Sequence, residues 1–175
     1  KSGLIALKTR EDDQLISTKL IENEEEKIIL VTKKGNSLVI NQNDISTTAR
    51  NTIGVKGINL AADDELIAMD VITKYTKELL TVSARGYAKR TSIKEFSTAT
   101  RATKGNSCSK FKEDNDYLVD AVLLSNDEEL IVNSKLSSLK IKVDTIPLQG
   151  KATVGVQTIK VANTNLVNSI TLLEK

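Results

Sequence analysis

Gly57-Ile58-Asn59-Leu60, followed by Asp63-Asp64-Glu65-Leu66-Ile67, decides the fold because the chain repeats it. Fifty-odd residues earlier stands Gly3-Leu4-Ile5-Ala6-Leu7, leading to Asp12-Asp13-Gln14-Leu15-Ile16. A fainter copy runs from Ser107-Cys108-Ser109-Lys110-Phe111 to Asn115-Asp116-Tyr117-Leu118-Val119. An incomplete fourth is Val156-Gln157-Thr158-Ile159 with Asn165-Leu166-Val167. The intervening halves match as well: Ile28-Ile29-Leu30-Val31-Thr32-Lys33-Lys34-Gly35 corresponds to Glu78-Leu79-Leu80-Thr81-Val82-Ser83-Ala84-Arg85-Gly86. A period of this size means one supersecondary unit reused along the chain.

Apolar residues alternate instead of following a helical period. Leu139, Ile141 and Val143 point one way while Lys140 and Lys142 point the other; Leu80, Val82 and Ala84 alternate with Thr81, Ser83 and Arg85. This is the pattern of half-buried strands. Strands are expected over 4–8, 15–21, 28–33, 38–41, 57–60, 66–73, 79–83 and 87–91, then over 107–111, 118–124, 130–134, 139–143, 156–161 and 166–173. Four antiparallel strands in about fifty residues fit a propeller-like blade that is stable only when stacked on its neighbours. The expected architecture is all-β, with blades at 1–52, 53–104 and 105–154 and a partial one at 155–175. Three and a half blades do not close a ring of ordinary size, so the sequence reads as one repeat domain, a piece of a longer subunit.

Composition narrows the chemistry. The chain has no histidine and a single cysteine, Cys108, which removes the commonest general base, the usual metal ligand and any disulfide framework. No catalytic residue, metal site or cofactor is expected, and no Gly-rich phosphate loop of standard spacing is present. The lone thiol reads as a small core group. No run approaches a membrane span and no signal peptide is visible, so the expected location is the cytoplasm. The Asp-Asp pairs recur at one repeat position and read as turn residues, and Glu22-Asn23-Glu24-Glu25-Glu26 reads as a solvated loop.

The junction Arg50-Asn51-Thr52-Ile53-Gly54-Val55-Lys56-Gly57-Ile58-Asn59-Leu60 with Asp63-Asp64-Glu65-Leu66-Ile67 resembles the blade signature of the C-terminal domain of bacterial DNA gyrase A subunits, a signature shared by the A subunit of topoisomerase IV. The hairpin from Glu78 to Arg90, the Ile93-to-Phe96 segment and Arg101-Ala102-Thr103-Lys104-Gly105 are similar to that family too. The resemblance is close over 28–105, fair over 1–27 and weak beyond. It implies a β-pinwheel, whose neighbouring blades exchange strands and whose basic outer rim binds and wraps double-stranded DNA. It also implies a non-catalytic accessory part of an ATP-dependent type IIA topoisomerase, bacterial and nucleoid-associated. The implied partners are the ATPase B subunit and the catalytic core of the same A subunit. The strand-cleaving tyrosine of that family lies elsewhere in the subunit, which removes Tyr75, Tyr87 and Tyr117 as candidates. The gyrase motif Gln-Arg-Arg-Gly-Gly-x-Gly is absent from the sequence, and gyrase and topoisomerase IV are not separated by it.

Charge supports the rim unevenly. Net charge is only +2, but residues 53–104 carry 9 basic and 6 acidic groups while residues 105–154 carry 6 and 8. Basic residues recur at fixed repeat positions: Lys33, Lys34 and Arg85 at the hairpin glycines, Arg50 and Arg101 at the blade junctions, Lys89 and Arg90 after the second hairpin, and Lys140 and Lys142 in the third. With Lys56 and Lys104 these are the expected phosphate contacts. Acidic groups gather at other phases, at Asp12/Asp13, 24–26, Asp63/Asp64 and 127–129, and are expected on a different edge of the disc. Two rival classes are a protein-interaction propeller, favoured by the low net charge, and a carboxylate-dependent enzyme on a β scaffold, disfavoured by repeat-phased acids and 3% aromatics.

Overall fold

In the computed structural model, which describes residues 3–126, 128–162 and 164–173, strand β1 (Lys27–Thr32) turns at Gly35 into β2 (Asn36–Asn41). Beyond them come β3 (Leu66–Ile72), a second hairpin of β4 (Glu78–Ser83) and β5 (Tyr87–Ser92), and the two-residue β6 (Asn106–Ser107). Then follow β7 (Leu118–Leu124), a third hairpin of β8 (Glu129–Ser134) and β9 (Ser138–Lys142), the short β10 (Val156–Gln157) and β11 (Val167–Leu173). Each hairpin ends in one 3-10 turn, at Gln42–Asp44, Ile93–Glu95 and Val143–Thr145. No α-helix occurs among the described residues.

No sheet is built from one repeat. The first is ordered β3-β1-β2-β6, the second β10-β5-β4-β7 and the third β11-β8-β9. Each hairpin therefore takes its third strand from the next repeat, antiparallel to its first strand, and the first two hairpins take a short fourth strand from the repeat after that. β7 packs against β3 on one side and β11 on the other, so these exchanged strands gather at the inner edge of the arc. The short strands and the long connections form the outer edge. This is the strand-exchanged, propeller-like architecture expected from the sequence.

The central strands are buried on both faces, not on one. Ile28 and Leu30 pack with Leu38, Ile40 and Ile58, whereas Ile29 and Val31 face Leu79, Cys108 and Leu118 of the second blade. Leu80 and Val82 point into a third cluster with Leu130, Val132 and Ile146. Thr81 and Ser83, expected on an open face, are 3% and 2% exposed because a neighbouring blade covers them. Cys108 is a buried core group, and burial pushes its thiol up to about 11.

Several expected strands shrink. Segments 4–8, 15–21 and 57–60 form none; 107–111 reduces to Asn106–Ser107 and 156–161 to Val156–Gln157. The equivalents of 15–21, β3 and β7, pair with a hairpin one repeat earlier, whereas 15–21 has no strand partner among the described residues. Ile58 is buried all the same, as a plug under the first hairpin. The third hairpin lacks a glycine because its turn is one residue shorter: 134–137 lie between the last paired residues, against 32–36 and 83–87.

Aspartates hold the exchanged strands in register. The Asp64 carboxylate accepts the amides of Lys34 and Glu65, and Asp116 accepts those of Arg85 and Tyr117 together with the Ser83 hydroxyl. Asn165 does the same for Leu136. Each pins a hairpin turn to the start of the next repeat's inner strand, which is the turn role read from the sequence. Glu26 is turned inward as well: it accepts the amides of Glu22 and Asn23, so this end of the acidic run is a loop cap and not a solvated residue. Asp127, in the other acidic group, lies outside the described residues.

Removing the Asp116 carboxylate leaves two half-buried amides and a buried hydroxyl without their acceptor. Asp116→Ala is expected to cost about 1–3 kcal/mol in urea unfolding, while Asp13→Ala, which loses only the Gln14 amide at an exposed site, changes stability little. A second test concerns Asp120 on β7, whose carboxyl is raised to about 6 by burial and then by the Asp70 charge. The folded state holds this proton more tightly than the unfolded chain, so stability should rise as pH falls from about 6 towards 4. Asp120→Asn should flatten that dependence and add on the order of 1–2 kcal/mol at pH 7.5 after allowance for its partial exposure.

Candidate nucleic-acid interface

The eleven cations expected to contact phosphate fall into two environments. Those on the hairpins, Lys142 excepted, are already occupied. Lys33 forms an ion pair with Glu65 at 3.2 Å and lies over the Tyr117 ring, and Lys34 pairs with Asp63, holding that carboxyl below its ordinary value. Arg85 pairs with Glu113 at 3.2 Å and donates to the Asn115 side chain. Arg90 pairs with Glu78 at 2.9 Å and donates through Nε to the Ile146 carbonyl. Lys140 pairs with Glu129 at 2.7 Å, and Lys142 is exposed at the end of the open edge strand β9. The expectation that acids and bases occupy different edges is thus overturned. Strand exchange brings the acidic turns of the second and third repeats onto the hairpin before them, where they meet Lys33, Lys34 and Arg85. Arg90 and Lys140 pair instead with Glu78 and Glu129 within their own hairpins.

Lys89 is displaced furthest from its expected role. It is 1% exposed, and its three donors are met by Gly150 O at 2.8 Å, Lys151 O at 2.5 Å and Thr153 Oγ1 at 3.3 Å. An ammonium has three donors, so none is left for a phosphate. Burial pulls it down to about 8, against the smaller opposing pull of Cys108 and Glu95. The period-two pattern points Lys89 at a sheet face; only the stacked blade shows that face to be covered.

The junction cations lie instead on the outer edge, on a recurring unit. Three backbone hydrogen bonds recur, one per repeat: Lys8 N to Thr52 O, Asn59 N to Thr103 O and Lys110 N to Thr153 O, at 2.9–3.0 Å. In each, the threonine hydroxyl closes the turn on the carbonyl three residues back, at Ala49, Thr100 and Gly150. The turn backbone enters the left-handed region at Asn51 (φ 64°) and Ala102 (φ 63°). At Gly105, φ +72°, a Cβ would lie 2.4 Å from Ser37 O. These features form three rungs, one per repeat. Arg50, Arg101 and Lys151 occupy one equivalent position, and Lys8, Asn59 and Lys110 another.

The rung cations differ in freedom. Arg101 is partly engaged, with Nε on Asp44 O at 3.1 Å and Nη1 on Lys56 O. Lys151 reaches Glu95 O at 3.2 Å and its ammonium lies 5.7 Å from the Phe96 ring centre. The side chains of Lys8, Arg50, Lys104 and Lys110 are exposed and make no hydrogen bond or ion pair among the described residues; Lys56 contacts only Asn59 Oδ1. Lys8, Lys110 and Lys151 were missed by the sequence reading. The near-equal spacing from Arg50 to Arg101 to Lys151 is the signal for the last of these.

The division has a direct consequence. Arg90→Ala strips Glu78 and the Ile146 carbonyl of a half-buried partner and is expected to cost about 1–3 kcal/mol. Lys104→Ala on the open rim should stay within about 0.5 kcal/mol of the parent in the same denaturant titration.

The family described as DNA gyrase C-terminal domain, beta-propeller, matches residues 1–22, 26–73, 77–125 and 138–172. The chain is 33% identical over 168 residues to the A subunit of DNA gyrase from Borrelia hermsii, covering 95% of this chain and 20% of that protein. With the gyrase A subunit of Klebsiella oxytoca the identity is 30%, covering 92% and 18%. The chain thus spans about a fifth of the length of these curated relatives. Among solved structures, a DNA gyrase A C-terminal domain superposes with a TM-score of 0.87 at 29% identity, covering 98% of this chain and 58% of the other. The C-terminal domain of a DNA topoisomerase IV shares the fold, with a TM-score of 0.89 at 23% identity, covering 97% and 53%. Strand exchange, blade composition and matched sequence agree: the chain belongs to the family of DNA gyrase C-terminal domains.

Proposed function

We propose that this chain is a double-stranded DNA-binding and DNA-bending domain of a type IIA topoisomerase A subunit, with phosphates contacted along the outer edge. The supporting observation is the ladder of equivalent rungs. One blade after another presents cations that form no ion pair among the described residues: Lys8 and Arg50, then Lys56, Arg101 and Lys104, then Lys110 and Lys151. A curved row of cations without a matching row of base-reading side chains suits phosphate neutralisation and bending, not sequence recognition. In this reading the domain has no catalytic role of its own. It serves a bacterial, cytoplasmic, nucleoid-associated and ATP-dependent holoenzyme whose other parts are the catalytic core and the ATPase B subunit. No helix among the described residues is long and apolar enough to cross a membrane.

The hairpin cations Lys33, Lys34, Arg85, Arg90 and Lys140 are secondary here, because each would have to leave a carboxylate to reach a phosphate. Lys142 is an accessory candidate, and Lys89, sealed beneath the rim turn, contacts no phosphate. A second reading, protein recognition, draws on a groove of about 530 Å³ at the starts of β3, β7 and β11, lined by Ile67, Tyr117, Leu118, Lys135 and Asn168 among others.

The two readings separate in a salt titration with a duplex of about 40 base pairs. Binding should weaken with log–log slope of about 0.9 per phosphate neutralised. Lys56→Glu/Lys104→Glu should reduce the slope by about two, whereas Lys33→Glu/Lys34→Glu should change it by less than one. Salt-insensitive binding, or a rim variant that binds like the parent, would overturn the DNA reading and leave protein recognition.

A further inference from the structure

Lys89 is out of place in its own fold. By strand register its equivalents are Leu38 in the first hairpin and Leu139 in the third, opposite Leu30 and Val132 as Lys89 is opposite Thr81. The blade can therefore be built with leucine at this position, and a buried ion rarely improves on an apolar residue of similar size. Among the described residues, no carboxylate pairs with the Lys89 ammonium within hydrogen-bond distance. All three donors go to one short segment, the rim turn 150–153.

That turn is held by its own side chain at one carbonyl, against two in the second rung, while Arg50 in the first holds none among the described residues. In the second rung the Arg101 guanidinium is a fork, binding Asp44 O in the preceding blade and Lys56 O on the adjacent rim segment. In the third rung the equivalent residue is Lys151, whose single ammonium reaches only Glu95 O, the counterpart of Asp44 O. The Lys151 amide also donates to Glu95 Oε2 at 2.8 Å. Among the described residues no side chain reproduces the second Arg101 bond, to the adjacent rim segment; Lys89 adds its bonds from within, drawing in the carbonyls of Gly150 and Lys151. Thr153, which caps this turn and also receives the Lys89 ammonium, offers the carbonyl that binds the Lys110 amide.

We propose that Lys89 is a positioning residue for the third rung: its buried ammonium fixes turn 150–153 and so places Lys110 and Lys151 on the phosphate path. The inference rests on the reading of the rim as the DNA interface. It assigns Lys89 no contact with DNA. The titratable groups that act on it are the Cys108 thiol and the Glu95 carboxylate.

The test uses the 175-residue chain and the 40-base-pair duplex. Lys89→Met keeps the length and removes the charge. Its salt slope at pH 7 should fall by one to two and its affinity near 0.1 M salt roughly 5- to 10-fold for each phosphate no longer reached. Lys110→Ala/Lys151→Ala should give the same change, and adding Lys89→Met to that pair should produce no further loss. Wild-type affinity should also decline between pH 7 and 9, as Lys89 deprotonates near 8, whereas that of Lys89→Met should not. A parental salt slope in Lys89→Met, or full additivity with the double variant, would overturn the inference. If Lys89→Met shows no cooperative unfolding transition, the pH series on the wild type decides, and a flat profile counts against the inference. Lys56→Ala/Lys104→Ala separates the two levels. If this variant weakens binding and Lys89→Met does not, only the positioning role fails; if neither it nor the third-rung pair weakens binding, the rim reading fails with it.

Discussion

Everything in this fold depends on the hydrogen-bond edge that each hairpin cannot satisfy alone. A two-stranded hairpin leaves a free edge on either side and is marginal in water. Here the inner edge is closed by a strand from the next repeat and, in the first two hairpins, the outer edge by two residues from the repeat after that. Three repeats must therefore be in place before the first sheet is complete. The pairing is non-local, with Ile28 set against Val71 and Ser37 against Asn106. A blade in this arrangement is not an independent module but a meeting point of three chain segments.

The same exchange decides where the charges go. An acidic turn such as Asp63-Asp64-Glu65 begins the inner strand of one repeat, and that strand is donated to the hairpin before it. The acids then meet Lys33 and Lys34, and one repeat later Glu113 and Asp116 meet Arg85 and its amide. Pairs of this kind contribute little each when exposed, but they neutralise the hairpin end of the disc. The outer edge receives no acidic strand, and among the described residues its lysines and arginines form no ion pair. A chain with a net charge of +2 can in this way keep a cationic perimeter.

Rim and core are coupled more closely than a surface patch implies. Arg101 joins an adjacent rim segment to the preceding blade, Lys151 joins its own turn to Glu95, and Lys89 ties that turn to the second hairpin from beneath. Spacing between successive rungs is thereby set by the stacking of blades, which is the property a surface needs if it is to impose curvature on a stiff duplex.

The sequence by itself determined the repeat, the hairpins, the all-β class and the family. These follow from short-range patterns: period-two apolar residues, glycine where φ is positive, aspartate where a turn needs an acceptor. Gly35 and Gly86, both at φ +78°, and Asp64 and Asp116 do in the structure what their repeat positions implied. Tertiary structure decided which cations are free. Lys34, Lys89 and Lys104 look alike in a list of basic residues. One is paired with a carboxylate, one is sealed under a rim turn and one stands in solvent. Their environments are set by segments some thirty to sixty residues away, brought close by strand exchange, and no local pattern around a lysine records which segment will arrive beside it.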